Sequence, residues 1–303
     1  MSLVINHNLM AMNASRNLGQ AYGALGTSVR RLSSGLRVGT AADDAAGLAI
    51  RELMRSDIAA LNQGVRNAND AISMIQTADG ALGVIDEKLI RMKELAEQAS
   101  TGTYNSTQRL IIDSEYQAMA SEITRIANAT DFNGIYLLNG ALSAGTGATS
   151  AYHDGSALKA EGPLKVHFGT ANDSAEDYYY IAIGTSTASA LGVGNQGVAS
   201  RDGYTISTQQ LAQQSLDAIN NAIISKDKIR ANLGSLQNRL SNTVTNLQIQ
   251  AENVQAAESR ISDVDVSTEM TEFVRQQILS QSAVAMLAQA NSLPRMAMQL
   301  LGG

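Results

Sequence analysis

The feature that most constrains this chain is a long heptad pattern between Ala41 and about Ser100. Met54, Ile58, Leu61, Val65, Ala68, Ile72 and Ile75 recur at alternating spacings of four and three. That is the seam a helix needs to lie along a partner helix. After Asp79 the phase slips, and a second seam runs through Leu82, Ile85, Leu89, Met92 and Ala96. No proline interrupts the stretch, which therefore predicts a single helix of roughly 90 Å. A helix that long outruns a compact globule of 303 residues. Its apolar stripe must be covered by other helices of the chain or by other copies of it.

Composition fits the same picture. Hydrophobic residues make up 44% but aromatics only 4%, with no Trp and three Phe, which suits helix–helix packing better than a bulky core. Only Pro163 and Pro294 break the chain's helical potential. A net charge of -6 offers no basic face for nucleic acid. The absence of cysteine excludes disulfides, thiolate metal sites and a Cys nucleophile. The N-terminal MSLVINHNLMAMNASRNL lacks a basic segment followed by an apolar one, so no cleaved secretory signal is expected. Nor is there a run of about 18 apolar residues, so no membrane insertion is expected. If the protein leaves the cell, it uses a route that needs no such signal.

Earlier in the chain, Leu18, Tyr22, Leu25, Val29, Leu32 and Leu36 form another seam, spaced 4, 3, 4, 3, 4. An ordinary amphipathic helix and an assembly helix account for it equally well. Its place at the terminus, where chains fray unless tied down, favours assembly. In LSSGLRVGTAADDAAGLAI (Leu32 to Ile50), Gly35 and Gly39 are stop signals, and Asp43 and Asp44 sit where acidic residues favour a helix start. The block reads as a short joint between two helices. Past the long helix, TGTYNS (101–106) is a turn, and Ile112, Tyr116, Met119, Ile123 and Ile126 carry a third helix. In DFNGIYLLNG (131–140), Asn133-Gly134 signals a tight hairpin.

From Ala141 to about Gly203 the heptads vanish and Gly, Ser, Thr and Ala dominate. Leu164, Val166 and Phe168 alternate with Lys165 and His167 as a strand, and Tyr178 to Ile183 reads as another. This is a small, mostly β insert, too small for a large core of its own. Helix resumes at Ser207, with Leu233, Leu240, Leu247, Val254 and Ile261 seven apart and Ile229 and Leu236 beside them. After SRISDVDVS (259–267), a last helix carries Met270, Val274, Ile278, Val284, Leu287 and Ala288. The expected fold is mainly α: a long antiparallel helical hairpin or coiled coil, with a β-hairpin and a small mostly-β insert. That order puts both termini at one end and the insert at the other.

No catalytic residue, metal or cofactor is expected. His7, His153 and His167 are scattered without ligand spacing. HExxH and GxSxG are absent, and Asp43-Asp44 reads as a helix cap rather than an acid/base dyad. The Gly-rich stretches AGTGATS (144–150) and GVGNQG (192–197) lack the lysine of a phosphate loop. Sequons such as that at Asn105 carry little weight at this composition.

Four blocks carry a resemblance. LSSGLRVGTAADDAAGLAI, RNANDAISMIQTADGAL (66–82), TDFNGIYLLNG (130–140) and SRISDVDVSTEMTEFVRQQILSQSAVAMLAQAN (259–291) are similar to bacterial flagellin, over roughly residues 1–141 and 208–303. The resemblance implies a structural subunit of the flagellar filament, secreted and extracellular, serving swimming motility. It implies that 1–42 and 260–303 pair as a terminal coiled coil in an inner core, through Leu18, Tyr22, Leu25, Val29, Leu32 and Leu36 with Met270, Val274, Ile278, Val284 and Leu287. A helical bundle with the hairpin, 43–141 and 204–259, forms the next layer, and 142–203 projects outward. Partners implied are copies of itself, the flagellar type III export apparatus and an export chaperone, the filament cap and hook-associated proteins. Asn133 and Gly134 match a hairpin tied to supercoil switching in the family. KLIRMKELAEQAS (88–100) resembles the stretch bound by the vertebrate Toll-like flagellin receptor, with Arg91, Glu94 and Leu95 on matching positions. A plain ion pair of Glu87 with Arg91, with Leu95 packed into the bundle, is the alternative there. A hook–filament junction protein and a non-polymerising coiled-coil adhesin are the alternative functions. O-linked glycans on the insert are a further implication of the family, without a nameable residue.

Overall fold

A computed structural model describes residues 8–143, 162–173, 176–194 and 204–301. Two compact units emerge, Met1–Ile58 with Glu252–Gly303, and Ala59–Ala251. The helices are α1 (Leu9–Ser34), α2 (Ala45–Ser100), α3 (Ser106–Ala129), α4 (Ala188–Leu191), α5 (Gln209–Ser262) and α6 (Val266–Leu301). Two hairpins lie between them, β1 (Asp131–Phe132) with β2 (Ile135–Tyr136), and β3 (Leu164–His167) with β4 (Tyr178–Ile181).

In the unit of residues 59–251, α2 buries an unbroken column seven residues apart: Leu61, Ala68, Ile75, Leu82, Leu89 and Ala96. A second column, three residues on, holds Gly64, Ala71, Ala78, Ile85, Met92 and Ala99. The expected phase slip after Asp79 is therefore absent. The first half of the second column is built of small residues, so the larger half-buried Val65 and Ile72 imitate a seam one position away. In α5 the matching column is Ala212, Ile219, Lys226, Leu233, Leu240 and Leu247, all buried.

Lys226 is the polar member of that column, its side chain 2% exposed, with Nζ 2.5 Å from Asp86 Oδ1 and 2.8 Å from Asp227 Oδ1. One turn along α5, Arg230 Nε donates to Asp79 Oδ1 at 2.7 Å. Rising numbers on α2 meet falling numbers on α5, so the two helices run antiparallel here. A polar residue in an otherwise apolar heptad column fixes register at some cost in stability.

Helix α3 opens with a capping box, the Asn105 side chain accepting from Gln108 N and the Gln108 side chain accepting from Asn105 N. It contributes Tyr116, Ala120, Ile123 and Ala127 to the core. Asp113 Oδ1 accepts from Thr205 Oγ1 at 3.0 Å and from Ile206 N at 2.8 Å, and Gln117 donates to the carbonyl of Tyr204. These bonds fasten the segment that leads into α5. Burial pushes the Tyr116 phenol far above its ordinary value, opposed by a hydrogen bond with Ser215.

The alternation read at residues 164–168 and 178–183 forms β3 and β4, antiparallel, with Leu164 opposite Ile181 and His167 opposite Tyr178. Val166, Phe168, Ile181 and Ile183 join the core of α2 rather than one of their own, as a lone four-residue pair of strands requires. Contact with α2 is close. A Cβ on Gly64 would lie 2.0 Å from the carbonyl oxygen of Phe168, and Asn67 Nδ2 donates to His167 O at 2.8 Å.

In the other unit α1 and α6 pair antiparallel. Asn8 Nδ2 donates to Ala290 O at 2.7 Å, and Arg31 sits 3.6 Å from Glu269 at the opposite end. Helix α1 ends on Gly35 at φ 73°, a conformation only glycine adopts at little cost. Asp43 then accepts from Thr40 N and Oγ1 and pairs with Arg30 at 2.9 Å, while Asp44 Oδ1 caps α2 through Ala46 and Gly47 N–H. The long helix thus starts at Ala45 rather than Ala41. Arg37 N donates to Ser262 O, and the Arg37 guanidinium to the carbonyls of Arg260 and Ile261 at the end of α5, where a cation is favoured.

Candidate assembly surfaces

Helices α1 and α6 meet through stripes that mix small and large side chains. On α1 the inward positions are Ala14, Leu18, Ala21, Leu25, Ser28 and Leu32, buried or half-buried and spaced by fours and threes. On α6 they are Glu269, Phe273, Gln276, Ser280, Ala283, Leu287 and Ala290, with the same spacing. Of the expected seam on α1, Leu18, Leu25, Leu32 and Leu36 are half-buried, whereas Tyr22 and Val29 are 54% and 48% exposed.

The expected seam on α6 divides between the side facing α1 and the outer sides. Leu287 is half-buried, but Met270, Val274, Ile278 and Val284 are 44%, 44%, 58% and 47% exposed. Helices approach most closely where side chains are small, and Ser280, Ala283 and Ala290 share the inner stripe with Phe273 and Leu287, while Met270, Val274, Ile278 and Val284 face away. Leu279 and Met286 add to them on yet another side. A helix apolar on most sides belongs in a buried position, and in this unit α1 packs along one side of α6. Along one side of the pair run two adjoining grooves of about 420 and 530 Å³. The first is lined by Met10, Asn13, Asn17 and Met286, the second by Asn17, Gln20, Leu279 and Met286 among others.

Asn133 and Gly134 form the turn between β1 and β2. Their φ values are 53° and 80°, and Asn133 is the one non-glycine residue with positive φ among those described. Two consecutive positive φ values are what a type I′ turn demands, which explains Asn-Gly. Gly134 N donates to Asp131 Oδ2 at 3.1 Å. Phe132 and Ile135 face each other across the hairpin and rest on the core.

At the far end of α2, Arg91 is exposed and pairs with Glu94 at 2.9 Å and Glu115 of α3 at 2.8 Å, not with Glu87. Those two carboxylates, Glu94 first, raise the guanidinium pKa further. Leu95 is 1% exposed. It is a core residue, beneath a face whose exposed charged groups are Arg91, Glu94 and Glu115. Glu115 and the inward seam of α6 were not legible as site residues. Phe273, Gln276, Ser280, Ala283, Leu287 and Ala290 carry the signal only as a three-and-four spacing of side chains mixed in size and polarity.

A chain whose middle is self-sufficient while its paired ends display large apolar residues on several sides is a self-assembling structural subunit. Comparison with known proteins gives the same class and names its family. Residues 5–143 match the bacterial flagellin N-terminal helical region, and residues 216–301 the bacterial flagellin C-terminal helical region. The chain is 40% identical over 299 residues to the flagellar filament 33 kDa core protein of Treponema phagedenis, covering 99% of this chain and 100% of that one. It is similar to the same extent, 40% over 299 residues with 99% and 100% covered, to a flagellin of Halalkalibacterium halodurans. Among solved structures it is similar to Bacillus cereus flagellin, 28% identical with a TM-score of 0.43, covering 64% of this chain and 94% of that one. The chain belongs to the bacterial flagellin family. It is a structural subunit of the extracellular flagellar filament, which it builds by self-polymerisation, and not an enzyme.

Proposed function

We propose that the outward apolar residues of α1 and α6 are the contacts by which subunits join into the inner core of the filament, and that the paired ends fold fully only on docking. The observation that carries this is the exposure of Met270, Val274, Ile278 and Val284 on α6, with Tyr22 and Val29 on α1. A second supports it: Ala21 and Ala290 are the sole buried hydrophobic residues of α1 and α6 among the described residues. So little burial offsets chain entropy weakly, so ordering becomes part of the assembly free energy. Residues 1–42 with 260–303 form the inner layer in this reading, 43–141 with 204–259 the next, and 142–203 the outer one. Seeded growth tests it. Deleting residues 270–303 should abolish elongation from broken filament ends in sedimentation and electron microscopy. Elongation at the parent rate would overturn the assignment.

The type I′ hairpin at Asn133-Gly134 is the element at which neighbouring subunits slide when the filament changes supercoil. Its support is a turn fixed by two positive φ values beside the core contacts of Phe132 and Ile135. Gly134→Ala should shift filament handedness, and unchanged handedness and motility would remove the role. Export runs through the flagellar type III apparatus with an export chaperone. Growth takes place under the filament cap, beyond hook-associated proteins. The Arg91 and Glu94 face, set from beneath by the buried Leu95, is where the vertebrate Toll-like flagellin receptor reads the monomer. Arg91→Ala should lower a cell-reporter response severalfold, and an unaltered response would count against it.

A further inference from the structure

Among the described residues the exposed methionines lie on α1 and α6, and Met54 and Met119 are half-buried. Met74 and Met92 are 2% and 0% exposed in the seam of α2. Met10, Met12, Met270, Met286 and Met296 are 51%, 63%, 44%, 63% and 46% exposed, and all lie on α1 or α6. Oxidation of a thioether follows its access to solvent, and it turns a flexible apolar side chain into a polar one. Met286 has the most consequential position, because it lines both grooves beside the α1/α6 pair, with Met10 in the first of them.

We propose that Met286, with Met10 beside it, is an oxidation site through which hydrogen peroxide arrests assembly of the free subunit, while subunits already in the filament are protected. The inference rests on the reading that this face is covered when subunits join. The chemistry is a two-electron oxygen transfer. The Met286 Sδ lone pair attacks one peroxide oxygen, the O–O bond breaks, sulfur is oxidised to the sulfoxide and the peroxide is reduced to water. In the free subunit the new oxygen is hydrated, helped by the amides of Asn13, Asn17 and Gln289 along the groove. Covering the groove with an apolar neighbour strips that hydration without a guaranteed replacement. Met74 and Met92 are shielded in the core and serve as internal controls.

The test treats free subunits and sheared filaments in parallel with dilute hydrogen peroxide, maps sulfoxides by peptide mass, and measures the critical concentration for seeded elongation. Free subunits should gain oxygen at Met286 and Met10 well before Met74 and Met92, and their critical concentration should rise about tenfold, the equivalent of about 1.4 kcal/mol. Filament subunits should gain it at Met286 at least several times more slowly. Methionine sulfoxide reductases of both stereospecificities should restore elongation. A Met10→Leu, Met286→Leu double variant, which keeps side-chain volume, should resist the treatment, its seeded elongation after peroxide matching its own rate before it. Sulfoxide at Met286 with an unchanged critical concentration overturns the proposal, as does equal oxidation of Met74 and Met92. A double variant arrested as fully as the parent overturns it too. If the double variant fails to elongate before treatment, the reductase arm decides, recovery supporting the proposal and no recovery sinking it. Untreated parent protein that never elongates from seeds sinks the assembly reading itself, an outcome distinct from all of these.

Discussion

Two glycines of α2 offer a matched test of how the insert is held. Gly64 and Gly80 share one helix, and replacing either by alanine gains up to about 1 kcal/mol of helix propensity. Their surroundings differ. A Cβ at Gly80 meets nothing within 4 Å. A Cβ at Gly64 lies 2.0 Å from Phe168 O, 2.8 Å from Phe168 C and 3.0 Å from Phe168 Cα, all backbone atoms that cannot swing aside. Ordinary contact begins near 3.4 Å, so the β3 end must retreat by about 1.4 Å, the difference between the two distances. That displacement carries an overpacking cost of about 1–3 kcal/mol. It also breaks the Asn67–His167 hydrogen bond, a further loss of about 1 kcal/mol. Against the propensity gain, Gly64→Ala should destabilise the unit of residues 59–251 by about 1–3 kcal/mol, while Gly80→Ala should stabilise it slightly. At roughly 2–4 °C per kcal/mol for a unit of this size, thermal unfolding followed by far-ultraviolet circular dichroism resolves the two. Hydrogen exchange across 164–168 and 178–181 should quicken in the first variant alone. A Gly64→Ala protein that melts at or above the parent temperature would refute the close seating of β3 on α2.

Neighbouring positions at the end of α2 separate stability from assembly: Leu89 is 0% and Ile90 49% exposed. Leu89→Ala should cost about 2–5 kcal/mol in urea unfolding, and Ile90→Ala within about 0.5 kcal/mol. The ion pair of Lys226 predicts an asymmetry. Lys226→Leu, which completes the apolar column, should leave stability equal or higher, whereas Asp86→Ala leaves the buried ammonium with Asp227 as its remaining carboxylate and should cost roughly 1–3 kcal/mol; urea midpoints of the two variants check the order. Acid should loosen the joints. Asp43 is held below its ordinary 3.8 by the Thr40 hydroxyl first, then the Thr40 amide and Arg30, and Asp265 by the hydroxyl and amide of Thr268 and the amide of Ser267. A carboxyl depressed in the folded state stabilises above its unfolded value, and that contribution is lost as pH falls through the folded value. After correction for intrinsic rates, hydrogen exchange at 40–47 and 265–268 should therefore rise below about pH 4 and stay flat between about pH 5 and 8.

The helices and both hairpins were legible because their signals are local and redundant. Gly35 and Asp44 bound the joint, Asn133-Gly134 admits one kind of turn, and Leu233, Leu240 and Leu247 repeat without a break. What escaped was every place where the inner stripe is not made of large apolar residues. Gly64, Ala71 and Ala78 carry half of a column on α2 but give no strong apolar signal, so Val65 and Ile72 dominate the pattern and mimic a slip. Lys226 sits in the buried column of α5 as a charge, visible as a core residue only once Asp86 is known to lie opposite. Leu95 shows the converse limit. A motif match fixed its position but not its direction, and 1% exposure turns it inward.

The same blind spot at α6 has a functional cause. In α2 and α5 the largest side chains point inward because the chain supplies its own partners, and apolar periodicity and burial coincide. In α6 they diverge: Phe273, Ser280, Ala283 and Ala290 face α1, while Met270, Val274, Ile278 and Val284 face out. A sequence selected to fold alone would place the larger residues at the one interface available, since each buried leucine- or methionine-sized side chain contributes about 1.5–3 kcal/mol. Placing Ser280, Ala283 and Ala290 beside Phe273 and Leu287 there forfeits part of that contribution in the free chain, and in the proposed assembly contacts with neighbours recover it. Under the proposed assembly, the outward stripe of α6 is the part that neighbouring subunits cover, and the seam within the subunit is the thin contact that presents it.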